Sequence, residues 1–454
     1  MSSLFPRNFR KNYPVAVRGE GCWIISAEGR RFLDASGQAA VVNIGHGVAE
    51  IGRAMAEQSS QLAFVHTTQF HSAAAEKLAA RLLQFAPPNF HAGGRVYFTS
   101  GGSEATETAI KLARQFHLET DAPQRFGVIS RRQSYHGSTL GAMAVSGNVA
   151  RRAAYQPLLP EWGHIEPCFP YRRPANRSEK DYGIACANDL DKFLRGPSGH
   201  TSAAFIFEPV VGATLGAAVP AEGYVARIAE ICRQHKILMI ADEIMSGMGR
   251  TGKSFAIQHW HSESAIQHWH SESSEPDIIL VGKGIASGYA PLGAVLISQR
   301  VASAFERGSG IFQHGFTYQS HPVATAAGNA VLDYLEAHQL FERVDPISKT
   351  LRENLAPLLL HPHVGDIRGL GLLLGIEFVK DKSTREAFPP SENIAERIRQ
   401  AAMEEGVLTY PTQGCVDGLR GDHLLLAPPF ILSAGESAII AAALQSALAK
   451  VFQA

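Results

Sequence analysis

AAFIFEPV (203–210), ILMIADEI (237–244) and DIILVGKG (277–284) are apolar runs that each carry a chemically loaded side chain at or near the end: Glu208, Asp242 and Lys283. Short runs rich in Ile and Val, separated by helical or glycine-rich segments, read as buried parallel strands of an α/β sheet. Sheets of this kind bind their ligands beyond the carboxyl ends of the strands. The stretch therefore predicts a fold class and also where polar chemistry should gather.

The alternation of strand and helix extends in both directions. Upstream, RVYFTS (95–100) reads as a strand leading through Gly101-Gly102-Ser103 into the helix EATETAIKLARQFH (104–117). AEIGRAMAEQSSQL (49–62) and HSAAAEKLAARLLQF (71–85) have helical spacing, and the strand FGVISR (126–131) runs into the polar turn QSYHGST (133–139). The first segment mixes Pro, Gly and short apolar runs, which suggests hairpin-like strands. From Arg151 to about Gly199 the periodicity is weak, and the segment reads as a long irregular excursion of the kind that covers a site or an interface. Downstream come the strand GAVLISQ (293–299), the glycine-rich loop FERGSGIFQHGFTYQSHP (305–322) and helices from Val323. The tail alternates helices with strands such as IRGLGLLLGIEFV (367–379) and HLLLAPPFIL (423–432), suggesting a smaller α/β unit. The expected division is 1–50 as part of that smaller unit, 51–330 as a large domain, and 331–454 as the rest of the smaller one.

With 454 residues, 45% of them apolar, the chain can bury a large core and hold more than one domain. Its 42 basic residues balance 42 acidic ones, so there is no electrostatic footprint for nucleic acid or an acidic membrane. Partners are expected to be small molecules or other subunits. Cys22, Cys168, Cys186, Cys232 and Cys415 show no paired or metal-ligand spacing and read as isolated thiols in a reducing compartment. No apolar run is long enough for a signal peptide or a membrane span, and the expected location is the cytoplasm.

AIQHWHSES occurs twice in succession, at 256–264 and 265–273. Identical copies point to a recent in-frame duplication, and two copies are too few for a solenoid. A nine-residue step turns a helix by about two and a half turns, so at most one copy's Ile and Trp can keep their packing partners. His259, His261, His268 and His270 form two H-x-H pairs, read here as exposed histidines with no metal role. The expected outcome is an enlarged surface loop or an extended short helix that leaves the strands in place. A sharper hypothesis puts it near a subunit interface, where it would alter substrate access or stability.

GMGRTGKS (247–254) satisfies the phosphate-binding pattern G-x-x-x-x-G-K-S. No later strand ends in the Asp that would hold magnesium, and DIILVGK ends in lysine, so the segment reads as a glycine-rich turn beside a different site. A second constellation uses more of the chain. A lysine amine forms a Schiff base with pyridoxal phosphate, and the cofactor becomes an electron sink when a carboxylate keeps its pyridine nitrogen protonated. Lys283 and Asp242 can fill those roles. Gly102-Ser103 at a helix start offers backbone N–H groups and a hydroxyl to the phosphate. Tyr135 can stack on one face of the ring and Ile244 can pack on the other.

FTSGGSEATETAIKLAR, SYHGST, FEPVVG, ADEIMSGMGRTGK, LVGKGIASGYAPLGAV, GFTYQSHPVATAAG, IRGLGLLLGIEF and LRGDHLLLAPPF span nearly the whole chain in one order. In that order they resemble the class III (omega-amino-acid) aminotransferases of pyridoxal-phosphate fold type I. The resemblance implies a mainly parallel seven-stranded sheet in the large domain and identifies GMGRTGK as a regular family feature with no nucleotide role. It implies that Lys283 is the internal Schiff base and the acid/base of proton transfer, and that Asp242 pairs with the pyridine nitrogen. Gly102 and Ser103 would hold the phosphate, joined by Thr317 of a neighbouring subunit. Tyr135 and Ile244 would sandwich the ring, His136 and Gly137 would shape the adjacent turn, and Glu208 would support the cofactor side. A homodimer with two shared sites follows from that role of Thr317, and a tetramer is compatible with it.

Relatives acting on ornithine or 4-aminobutyrate carry a glutamate gate shortly after the Glu-Pro pair, where this chain has Ala213. Its absence resembles omega-aminotransferases that pair amines or omega-amino acids with pyruvate. Arg420, in LRGDH, matches the mobile arginine that captures the substrate carboxylate in such enzymes. The implied activity is amino transfer by ping-pong half-reactions. Alternatives are a 2-oxoglutarate-dependent aminotransferase, a decarboxylating transaminase or an aminomutase, and, from another class, a non-catalytic protein that binds the cofactor.

Overall fold

The structure, a computed structural model, describes residues 3–260 and 274–453. Near the N-terminus β1 (Ala16–Glu20), β2 (Trp23–Ser26) and β3 (Arg31–Asp34) form an antiparallel meander, extended in parallel by β13 (Val407–Leu408) from the other end of the chain. The central sheet contains β4 (Arg95–Thr99), β5 (Gly127–Arg131), β6 (His164–Ile165), β7 (Ser202–Phe207), β8 (Leu238–Asp242), β9 (Ile278–Val281) and β10 (Gly293–Ile297). Its order is β4-β10-β9-β8-β7-β5-β6, and only β10 runs antiparallel to its neighbours. The carboxyl ends of β4, β5, β7, β8 and β9 consequently share one edge. A third, antiparallel sheet joins β11 (Val364–Leu370), β12 (Leu373–Phe378), β15 (Asp422–Leu426) and β14 (Tyr410–Gln413) in that order.

The three quoted runs become β7, β8 and β9 because both faces of the sheet are covered. Ala204, Ile206, Leu238, Ile240, Ile278 and Leu280 face the helix Gly102–Glu119, contacting Ala105, Ala109 and Leu112. Phe205, Phe207, Met239, Ala241, Ile279 and Val281 belong to the opposite core with the helix Tyr224–Gln234. The period of two sends alternate residues to opposite faces, and each large side chain contributes about 1.5–3 kcal/mol of burial.

The excursion after Arg151 is not irregular throughout: Glu179–Arg195 is a helix capped by Ser178, whose side chain accepts the Asp181 N–H. Its buried stripe is Gly183, Cys186, Ala187, Leu190 and Leu194, a helical spacing built partly from small residues that a hydropathy reading passes over. The segment 367–379 is likewise two strands, turning through Gly371 at φ +53°. The cysteines are all buried and unbridged, and the Cys168 thiol accepts the Ala221 N–H at 3.3 Å.

In the first nonapeptide copy, Ala256–Trp260 forms a 3-10 turn with Ala256 and Ile257 fully buried. The second copy, and with it His261, His268 and His270, lies outside the described residues. β8 and β9 on either side remain paired in parallel register. No described helix is long and apolar enough to cross a membrane, and no group of three or more described His, Cys, Asp or Glu residues is placed to hold a metal ion.

Candidate active site

Asp242 closes β8 and is buried. Its Oδ1 accepts the Ile244 N–H at 3.1 Å, and its Oδ2 lies 2.7 Å from His136 Nδ1. His136 is itself buried, and its Nε2 has no hydrogen-bond partner among the described residues. Lys283 stands two residues past β9 with φ +45°, a left-handed conformation that costs a non-glycine residue energy and is often kept at functional sites. Enclosure by protein pushes the Lys283 ammonium below the ordinary lysine range, while Asp242 and Glu208 pull it back up.

Gly102 opens the helix Gly102–Glu119 under Ile244: a Cβ there would lie 2.8 Å from Ile244 Cδ1. The Ser103 hydroxyl accepts the Ser138 N–H at 3.0 Å, and a Cβ on Gly137 (φ +143°) would fall 2.7 Å from Ser103 Oγ. Glycines at 102 and 137 therefore let the helix start, the turn after β5 and the residue beyond Asp242 converge. The first N–H groups of a helix lack intrahelical partners and favour an anion.

Glu208 joins two walls. Its Oε1 accepts the Tyr135 N–H at 3.1 Å and its Oε2 the Gly212 N–H at 2.8 Å, while burial pushes its carboxyl above the usual range. Tyr135 is half-buried, with the Arg151 guanidinium 4.4 Å over its ring and its hydroxyl 2.9 Å from Ser138 Oγ.

These residues line one cleft of about 180 Å³: Gly102, Ser103, Tyr135, His136, Gly137, Glu208, Asp242, Ile244 and Lys283, with Val210, Ala213 and Met245. Thr317 and Arg420 are not among them. Thr317 is exposed, in the turn at 317–320, and Arg420 is exposed with Nε 2.6 Å from Asp417 Oδ2. The glycine-rich turn 247–254 leads into the 3-10 turn at Ala256 instead of an α-helix, so it offers no helix N-terminus to a phosphate. Its Arg250 is a buried strut that donates to Asn43 Oδ1 and the carbonyls of Leu372 and Pro428.

Three contributors escaped the sequence reading. Glu243, next to Asp242, is fully buried and accepts from the Ser246 hydroxyl at 2.5 Å and the Ile257 N–H at 2.7 Å. Its place in ADEI, inside an apolar strand end, was the available signal. Arg151 on Tyr135 leaves no local mark in its motif, and His423 behind Ala213 comes from a distant segment.

The donor set fits a planar cofactor with a phosphate tail attached to a lysine. The cleft is lined by a helix start that opens on glycine, a hydroxyl, a carboxylate backed by an imidazole, an amine with a disfavoured charge, and the side chains of Tyr135 and Ile244.

A family model described as aminotransferase class-III matches residues 5–448. The uncharacterized aminotransferase YodT of Bacillus subtilis is 36% identical over 436 residues, which cover 96% of this chain and 95% of the relative. Among solved structures, the (S)-enantioselective omega-transaminase from Thermomicrobium roseum superposes with a TM-score of 0.90 at 35% identity, covering 99% of this chain and 97% of that one. An amine transaminase from an uncultivated Pseudomonas species, in its PLP-bound internal aldimine form, gives a TM-score of 0.88 at 36% identity with coverage of 99% and 97%.

Proposed function

The chain belongs to the class-III aminotransferases, and from that membership we propose that it moves an amino group from an amine or omega-amino acid to a keto acid, pyruvate, in two half-reactions at one site. Enzymes of this class use pyridoxal 5′-phosphate, which when bound supplies the electron sink that acidifies the C–H bond beside the transferred nitrogen. The observation that carries the reading is the meeting of Lys283, Asp242 and the Gly102-Ser103 helix start in one cleft.

Gly102 and Ser103 would hold the phosphate through backbone N–H groups and the hydroxyl, and Tyr135 and Ile244 would cover the ring. Asp242, held in place by His136 Nδ1 and the Ile244 N–H, would keep the ring nitrogen protonated. Glu208 and Gly137 fix the backbone on which Tyr135 and His136 stand. Lys283 Nζ would hold the cofactor and could carry a proton, a task favoured by an environment that disfavours its ammonium form.

Ala213 supplies a short apolar wall on the substrate side, which suits amines and omega-amino acids. Arg420 captures the substrate carboxylate after leaving Asp417. Thr317, exposed and outside its own cleft, completes the phosphate site of a second copy, making the protein a cytoplasmic homodimer with two shared sites. Residues 51–330 form the large unit, and 1–50 with 331–454 form the smaller one.

A panel of amine donors assayed with pyruvate and with 2-oxoglutarate tests the assignment. Turnover with 2-oxoglutarate alone would overturn the choice of acceptor. Failure to develop visible absorbance after adding cofactor would overturn the whole reading.

A further inference from the structure

The loop after β7 brings Val210 and Ala213 into the cleft, and the C-terminal sheet grips it from behind. In that sheet Glu377 is paired with Asp366 and His423, and Gly375 with Arg368. Residues directly opposite on antiparallel strands share a face, and so do residues two apart, so these side chains form one polar face.

That face meets the loop through specific contacts. His423 is fully buried, and its Nε2 lies 2.7 Å from the Ala213 carbonyl oxygen. Arg368 donates to the Leu215 carbonyl through Nε at 3.1 Å and Nη2 at 2.7 Å, and its Nη1 lies 2.8 Å from Glu377 Oε2. Gly216 (φ +57°) is pressed against both: a Cβ would fall 2.6 Å from His423 Cδ2 and 3.1 Å from Arg368 Nη2. A Cβ on Gly375 would lie 2.0 Å from the Gly216 carbonyl. The loop has no room to approach the sheet, and moving away would strand buried polar groups.

On the cleft side the loop is fixed just as firmly. Glu208 takes the Gly212 N–H, and a Cβ on Gly212 would lie 2.4 Å from Met245 Sδ. Ala213 is thus pinned between the cofactor side of the site and an imidazole that reaches no ligand. Burial, reinforced by Arg368, pushes His423 down to about 3, so the ring is neutral at working pH and Nε2–H donates to the carbonyl.

We propose that His423, supported by Arg368, is a positioning residue that sets the substrate-facing wall at Ala213 and thereby selects among amino donors by size. The proposal rests on the aminotransferase reading above.

The test uses the full-length holoenzyme and a series of amine donors of increasing bulk with one keto-acid acceptor. His423→Leu removes the donor to the wall, His423→Gln keeps an N–H donor, and Gly216→Ala disturbs the same contact from the loop side. His423→Leu should change the ratio of kcat/KM between the bulkiest and smallest donors by about tenfold, the scale of one buried hydrogen bond. Visible absorbance and cofactor affinity should stay at wild-type values. His423→Gln should return the ratio toward wild type, and Gly216→Ala should shift it as His423→Leu does, which also covers the case in which His423→Leu does not fold. An unchanged ratio, or a loss by one common factor for all donors, overturns the positioning role alone. A wild-type protein that turns over no donor overturns the aminotransferase reading and this inference with it.

Discussion

The backbone N–H of Ile257 donates to Glu243 Oε1 at 2.7 Å, so the residue that adjoins Asp242 in the chain also anchors the first nonapeptide copy. Ala256 and Ile257 are fully buried there, and His259 Nε2 lies 3.0 Å from the Thr251 carbonyl. Among the described residues, this seat holds the first of the two identical peptides.

Occupancy of that seat makes two chemically identical substitutions unequal. Ile257→Ala should lower stability by about 2–5 kcal/mol, the usual cost of emptying a buried isoleucine site. Ile266→Ala, in the second copy, should leave the melting temperature near wild type if the first copy alone holds this contact. Deleting either nonapeptide yields the same sequence, and that shortened chain should keep its seat, its melting temperature and its turnover. Equal destabilisation by the two alanine variants in denaturant titrations would show that the copies exchange.

Glu243 also gives the fold a pH signature. Burial pushes its carboxyl up to about 7 from an ordinary 4.5. Between those values the folded state keeps a proton that the unfolded chain releases, so this group's contribution to stability is present below pH 4.5 and is lost as pH rises through about 7. Glu243→Gln cannot titrate. The melting-temperature difference between wild type and Glu243→Gln should therefore change across this window and level off above it, whereas a difference independent of pH would contradict a raised carboxyl.

Lys283 has the opposite charge logic. Its ammonium is disfavoured by enclosure, so the neutral amine is available below the ordinary lysine value of 10.5. After removal of the cofactor, the rate at which added pyridoxal phosphate restores visible absorbance should rise with pH and reach its plateau below that value. Lys283→Ala should lose turnover and the band of the lysine-linked cofactor, and borohydride should no longer fix the cofactor to the chain. A variant that kept that band would place the cofactor on another lysine.

β7, β8 and β9 were legible because each is buried on both faces and so reads as an unbroken apolar run, whereas β6, two residues inside the excursion after Arg151, was not. Their polar termini were legible for a related reason: Glu208, Asp242 and Lys283 interrupt hydrophobic stretches where the chain reaches the sheet edge. The helix Glu179–Arg195 was not, since Gly183, Cys186 and Ala187 bury little apolar area while still permitting close packing. The contact between His423 and Ala213 spans 210 residues and depends on a sheet register that no local pattern encodes. Arg420 is legible as a motif residue, yet its carboxylate partner in the structure is Asp417, three residues away.

Thr317 and Lys283 allow a test of the shared site. Thr317 is exposed and does not line the cleft of its own chain, so its proposed phosphate contact requires a second copy. In a mixed dimer of Lys283→Ala and Thr317→Ala chains, one site receives both substitutions. The other combines an intact Lys283 from one chain with an intact Thr317 from its partner. Random re-association makes about half the dimers mixed, each with one restored site, so about a quarter of all sites should regain wild-type cofactor affinity. Thr317→Ala alone should bind the cofactor more weakly, and Lys283→Ala alone should not turn over. If mixing yields only the average of the two variants, Thr317 serves its own chain or no cofactor at all, and the shared-site dimer must be abandoned.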